Sequence, residues 1–217
     1  MGTMGTTGTI DNSKRRFALI LAGVILMSGC EKESAHMDGN AVIIESAELR
    51  LNIPEGWSAM TGKDIYKEIY PQYSDEFDSA EDMKNALEEM GERYIAYAVS
   101  EDSAALLVVT VQEMDGGTEE RPDLEGLART VHNDTLFDYL ASGYRTGSNS
   151  VFELTEIGGR EGWLSFFELY MSEEEEPRFE LAQEMFMFEL DGDVYSFQLI
   201  YSDKDSGLKI GEMLAKG

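Results

Sequence analysis

Cys30 is the only thiol in the chain, so cysteine chemistry has one place to happen and there is no second thiol to close a disulfide. Ahead of it stand Lys14, Arg15 and Arg16, then an apolar run from Phe17 to Met27, then the small residues Ser28 and Gly29. Charged, apolar and small in that order is the layout of a secretory signal peptide. The apolar run falls well short of the roughly 20 residues that span a bilayer, and Glu31, Lys32 and Glu33 end it with charge. Other candidates for chemistry are few. His36 lies in a polar stretch and reads as solvent-facing. His132 sits beside an apolar stripe with no second histidine or cysteine near it in the sequence, which is too few ligands for the usual zinc set. No metal and no cofactor are therefore expected. A nucleophile would have to be Ser or Lys with an unusual base, and the sequence has no Gly-x-Ser-x-Gly elbow, phosphate-cradling glycine loop or dinucleotide fingerprint. Carboxylates are plentiful at 43, but a pair of acids implies glycoside hydrolysis only once their separation is known. The acidic run from Ser172 to Pro177 lacks the alternating Asp or Asn and the glycine of a calcium loop, so it reads as a solvated loop.

Leu26-Met27-Ser28-Gly29-Cys30 resembles the lipobox of bacterial lipoproteins, with Met27 where a leucine is usual. The resemblance implies that residues 1–29 are removed and that Cys30 receives a diacylglyceryl thioether, with acyl chains of the palmitate kind. The domain would then face outward from the cell membrane, held there by lipid. A signal peptide whose cleavage region happens to include a free cysteine is the competing reading. Two or three acyl chains anchor stably where one holds only marginally. The net charge of −26 repels phosphate backbones and anionic headgroups, so no nucleic-acid partner is expected and lipid must supply the attachment. At 42% apolar and 10% aromatic residues the chain belongs with globular proteins despite that charge.

The expected elements follow from periodicity. Residues 30–40 read as the lipidated cysteine and a flexible tether, and residues 41–217 as a single α+β domain. Strands are expected at 41–44 and 48–53, with Trp57 closing the rim of a core just past the second. Residues 58–78 give no clear assignment. Ser79 with Asp82 caps a helix to Gly91 whose Met83, Ala86, Leu87 and Met90 share a face. A hairpin follows at 93–99 and 104–112, then a loop at 116–121, and then a helix from Pro122 to about Gly143. A meander at 151–157, 163–171, 179–190 and 194–201 carries the strongest β signal, with Tyr195, Phe197, Leu199 and Tyr201 on one face. A short helix at 205–215 ends the chain. The expected fold is α+β, an antiparallel sheet of about six or seven strands with the helices at 79–91 and 122–143 packed on it.

The strand ending Ile53-Pro54-Glu55-Gly56-Trp57, the helices and hairpin, and the meander containing Gly158-Gly159-Arg160-Glu161-Gly162-Trp163 and Asp191-Gly192-Asp193-Val194-Tyr195 appear in an order that resembles the PsbP-like α/β/α sandwich. That resemblance implies an adaptor that binds other proteins or an assembly, with no catalytic set to carry over. The expectation is a non-catalytic binding or scaffolding lipoprotein with envelope proteins as partners. Behind it stand a small-ligand lipoprotein with a cleft between sheet and helix, lined by Trp57, Tyr94, Trp163 and Tyr195, and lastly a carboxylate-based hydrolase.

Overall fold

The structure is a computed structural model and describes residues 35–114, 123–171, 179–202 and 208–216. The signal peptide and Cys30, the loop at 116–121 with Pro122, and the acidic run at 172–177 lie outside the described residues. Twelve strands are described: β1 Ala35–Asp38, β2 Ala41–Ile44, β3 Leu49–Asn52, β4 Trp57–Thr61, β5 Glu92–Ser100, β6 Ala105–Glu113, β7 Tyr144–Thr146, β8 Val151–Ile157, β9 Arg160–Met171, β10 Phe179–Leu190, β11 Asp193–Tyr201 and β12 Leu214–Lys216. The helices are α1 Lys63–Ile69, α2 Ala80–Glu89, α3 Leu124–Ala141 and α4 Ile210–Met213. The larger sheet runs β4-β5-β6-β11-β10-β9-β7, with β8 sharing the outer edge of β9, and a second sheet runs β1-β2-β3-β12. Every pairing described is antiparallel.

The expected six or seven strands are thus too few. Strands of three or four residues, such as β1, β7 and β12, are too short to show a period of two. Ala35–Asp38, read as tether, pairs with β2. The last residues, read as helix, are one helical turn and then a strand on β3. The unassigned stretch supplies β4, which Trp57 opens rather than follows, and α1.

Side-chain alternation then sorts the larger sheet into two faces. Leu107, Val109, Val111, Phe186, Phe188, Tyr195, Phe197 and Leu199 share a buried cluster with Val42, Ile44, Leu49 and Leu51 of the second sheet. Phe186, Phe188 and Phe197 are fully buried there, and burying a side chain of that size is worth about 1.5–3 kcal/mol. The opposite face carries the helices. Ile65, Tyr66, Ile69 and Met83 pack on Tyr94 and Tyr97, while Ala128 of α3 packs on Met185, Met187 and Val194. Ser79 caps α2 by accepting from the Asp82 N–H (3.1 Å), and Asp123 caps α3 by accepting from Gly126 N–H (3.0 Å). The layers are helices, the large sheet and the small sheet.

Candidate functional site

The four aromatic residues expected to line one cleft are divided between the two faces. Trp57 and Tyr195 belong to the cluster under the small sheet, where Tyr195 stacks on Phe188 with ring centroids 5.0 Å apart. Tyr94 lies under α1 and α2, and Trp163 stacks on Phe152 (4.9 Å) near α3. All four are core or rim residues of the packed layers, and the structure does not bring them together.

His132 has a partner that the sequence did not indicate. From α3 its Nδ1 reaches Ser165 Oγ on β9 at 2.5 Å, between the rings of Phe152 (5.5 Å) and Phe167 (5.7 Å). Burial, and then the charge of Arg129, lower its pKa, which favours the neutral imidazole. A serine bonded to a neutral histidine is the first half of an activated nucleophile, whose second half is a group that orients the base. No carboxylate is among the groups that shift His132. Ser165 is only 2% exposed, in mid-strand. The pair satisfies two buried polar groups and pins α3 to the sheet.

Two buried glutamates, Glu168 and Glu184, share the other face. In register Glu168 faces Ala182 and Glu184 faces Phe166, a diagonal placement about 7–8 Å apart. Each holds a segment in place. Glu168 accepts from Tyr170 Oη (2.8 Å) and Asn149 Nδ2 (3.4 Å). Glu184 accepts from the Ile210 N–H (3.1 Å) at the start of α4. Burial raises the Glu184 pKa, against the pull of the Ile210 N–H and Lys209. Among the described residues no group of three or more His, Cys, Asp or Glu is placed to hold a metal ion.

The arrangement best suited to take a ligand lies between the helices. The main contacts of α1 and α2 with the sheet are with β4 and β5, and those of α3 are with β7, β9 and β10. Strands β6 and β11, at the centre of the sheet, fall between the two groups. On their helix-side face the register sets out successive rows: Glu92, Gln112 and Val194, then Tyr94, Thr110, Ser196 and Met187, then Tyr97, Val108, Gln198 and Met185. Thr110, Gln112, Ser196 and Gln198 are half-buried. They form a polar strip about 14 Å long between a tyrosine wall and a methionine wall. Buried polar atoms at its margins lack hydrogen-bond partners among the described residues: Glu92 Oε1, Gln198 Nε2 and Gln183 Oε1. With desolvation as the sole cause, the Glu92 pKa is pushed up to about 7. Tyr66, whose hydroxyl accepts from the Tyr94 N–H (3.2 Å), is raised to about 12, mainly by burial.

The sequence carried a signal for this strip. Thr110 and Gln112 alternate with Val109 and Val111, and Ser196 and Gln198 alternate with Tyr195, Phe197 and Leu199. The missing information was that the two strands are neighbours and that the described helices mainly cover the strands on either side of them.

Among known proteins, the chain matches no described family and no curated protein. It is similar to the solution structure of cyanobacterial PsbP from Synechocystis sp. PCC 6803 at 10% identity, with 82% of this chain and 85% of that chain covered and a TM-score of 0.42. It is also similar to LpqN of Mycobacterium tuberculosis, described as involved in cell envelope biogenesis, at 14% identity, 77% and 82% coverage and a TM-score of 0.40. A Bacteroides thetaiotaomicron VPI-5482 protein is similar at 11% identity, with 83% of this chain but 49% of that one covered and a TM-score of 0.39. The first of these carries the fold name that the order of motifs in the sequence resembles, and overlaps of this size transfer no site or activity to the chain.

Proposed function

We propose that this chain is a lipid-anchored, extracytoplasmic binding module, tethered through Cys30, that takes its ligand in the polar strip on β6 and β11 without catalysing a reaction on it. The carrying observation is the row of Thr110, Gln112, Ser196 and Gln198, half-buried at the centre of a sheet whose other face is closed by aromatic side chains. Antiparallel sheets commonly leave one face to solvent; here the polar face of the two central strands is half-buried between two groups of helices, which is where a ligand would sit. The His132–Ser165 pair and the two buried glutamates are committed to holding segments together, which favours binding over hydrolysis. No described helix is long and apolar enough to cross a membrane, and the lipobox-like Leu26 to Cys30 supplies the attachment in this reading.

Cys30→Ser tests the anchor. Wild-type protein is expected in the membrane fraction at the size of the processed form, and the variant is expected to remain unprocessed and to lose its lipid label. Unchanged processing and membrane association in the variant would refute lipidation. Amide hydrogen exchange, with and without a protein-free polar extract of the cell envelope, tests the strip. Added protection is expected in 108–112 and 194–198, and protection confined to other segments would contradict the assignment.

A further inference from the structure

We infer that the strip on β6 and β11 is built for an uncharged, polyhydroxylated ligand, an oligosaccharide segment, a conclusion that rests on the strip being the binding surface. Its lining consists of two hydroxyls, Thr110 and Ser196, and two side-chain amides, Gln112 and Gln198, all of which both donate and accept. At one end Gln198 Nε2 is a buried donor and Gln183 Oε1 a buried acceptor, each without a partner among the described residues. Gln183 faces Ile200 while Gln198 faces Met185, so the two amides are diagonal neighbours on one face. A buried polar group left unpaired costs about 1–3 kcal/mol. A sugar hydroxyl, which donates and accepts at one atom, satisfies both amides where a carboxylate or an ammonium satisfies one.

Charge points the same way. Among the described residues, three cations of the flanking elements are engaged elsewhere: Arg93 lies on the opposite face and pairs with Glu113 at 2.9 Å, Lys84 pairs with Glu88 at 3.1 Å, and Arg129 lies over the Phe152 ring at 4.4 Å. With these three described cations engaged, an anionic ligand would face a chain of net −26. An extended peptide fits less well. Strand addition needs free main-chain groups at a sheet edge, whereas β6 and β11 are paired on both sides. Of the apolar residues beside the strip, Val108 is half-buried and suits the C–H face of a sugar ring, while Tyr94, Tyr97, Met185, Met187 and Val194 are buried under the flanking helices.

The test is a titration of isotope-labelled, unacylated residues 31–217 followed by amide shifts. Three probes are used: neutral pentasaccharides (cello-, chito- and maltopentaose), an oligogalacturonate of the same length, and an uncharged hexapeptide. At least one neutral pentasaccharide is expected to shift 108–112 and 196–198, with the oligogalacturonate at least tenfold weaker and Gln198→Leu weakening the neutral sugar at least tenfold. Sugar shifts elsewhere, or binding unchanged by Gln198→Leu in a folded variant, would overturn the inference. Binding at 108–112 and 196–198 by the peptide or the oligogalacturonate alone would overturn the ligand class and leave the binding surface standing. Silence from every probe, together with no protection by envelope extract, would overturn both.

Discussion

Gly162→Ala is expected to destabilise the domain by about 3 kcal/mol, a fall in melting temperature of roughly 6–12 °C for a chain of this size. Gly162 is buried inside β9, on the face that carries Phe186. A methyl group there would run into the main-chain carbonyl of Met187 and would lie 2.8 and 2.9 Å from the Cε2 and Cζ atoms of the Phe186 ring. Replacing a strand glycine by alanine ordinarily gains about 0.5–1 kcal/mol of conformational entropy, so the packing term decides the sign. The ring cannot step aside, because Phe186 is fully buried and its neighbour Phe188 lies 5.7 Å away, centroid to centroid. Urea unfolding of the two proteins checks this. A variant as stable as wild type would mean that Phe186 has somewhere to go, and the close packing of this face would be wrong.

Glu92→Gln is expected to make the protein more stable at pH 8 by up to about 3 kcal/mol and to have little effect at pH 4. Burial pushes the Glu92 carboxyl up from the ordinary 4.5 to about 7. Between those values the folded state holds a proton that the unfolded state has released, so stability falls as pH rises through the window. The full penalty is present above about 7 and amounts to about 3 kcal/mol at 1.36 kcal/mol for each pH unit. Other groups also titrate in the range: burial raises Glu184, which acts in the same direction, and His132 is lowered by its own burial and by Arg129. For His132 the sign reverses, with stability present above 6.5 and lost as pH falls. Comparing the variant with wild type at each pH cancels both contributions. Parallel stability profiles for the two proteins from pH 4 to 8 would show that Glu92 is solvated.

Local chemistry made part of the fold legible. Helix α2 follows from the Ser79 cap and from Met83, which is buried where the period of 3.6 places it. The meander follows from the alternation of β11 and the turn at Asp191-Gly192, both with positive φ. Features set by distant contacts were not legible. Nothing in Ala35–Asp38 or Leu214–Lys216 marks a strand until β2 and β3 are there to pair with. The strand expected from Trp163 begins already at Arg160, which puts Gly162 inside β9, and Gly158 and Gly159 turn the chain before it, with φ of 60° and 77°.

The division of the four aromatic residues has a similar origin. Which face a residue takes depends on register, and in β5 the ladder shifts between Tyr94 and Ala96. The two are an even number of residues apart and still lie on opposite faces, Tyr94 under the helices and Ala96 under the small sheet. A count of alternating positions misassigns one of them. The strip on β6 and β11 was hidden for a different reason. Its polar residues fit an ordinary half-solvated strand, and only the sheet order, which puts β6 beside β11, gathers them in one place.

The stability, without ligand, of the double variant Gln183→Leu and Gln198→Leu tests whether the strip on β6 and β11 is a binding surface. Residues retained for binding oppose stability in the free protein, and here they leave a buried donor and a buried acceptor unpaired. The double variant is expected to unfold at higher urea than wild type, by about 1–2 kcal/mol with an unchanged denaturant slope, and no longer to gain protection in 194–198 from envelope extract. A double variant that is less stable than wild type by 1 kcal/mol or more would show that the two amides hold the sheet together, and would contradict the binding role.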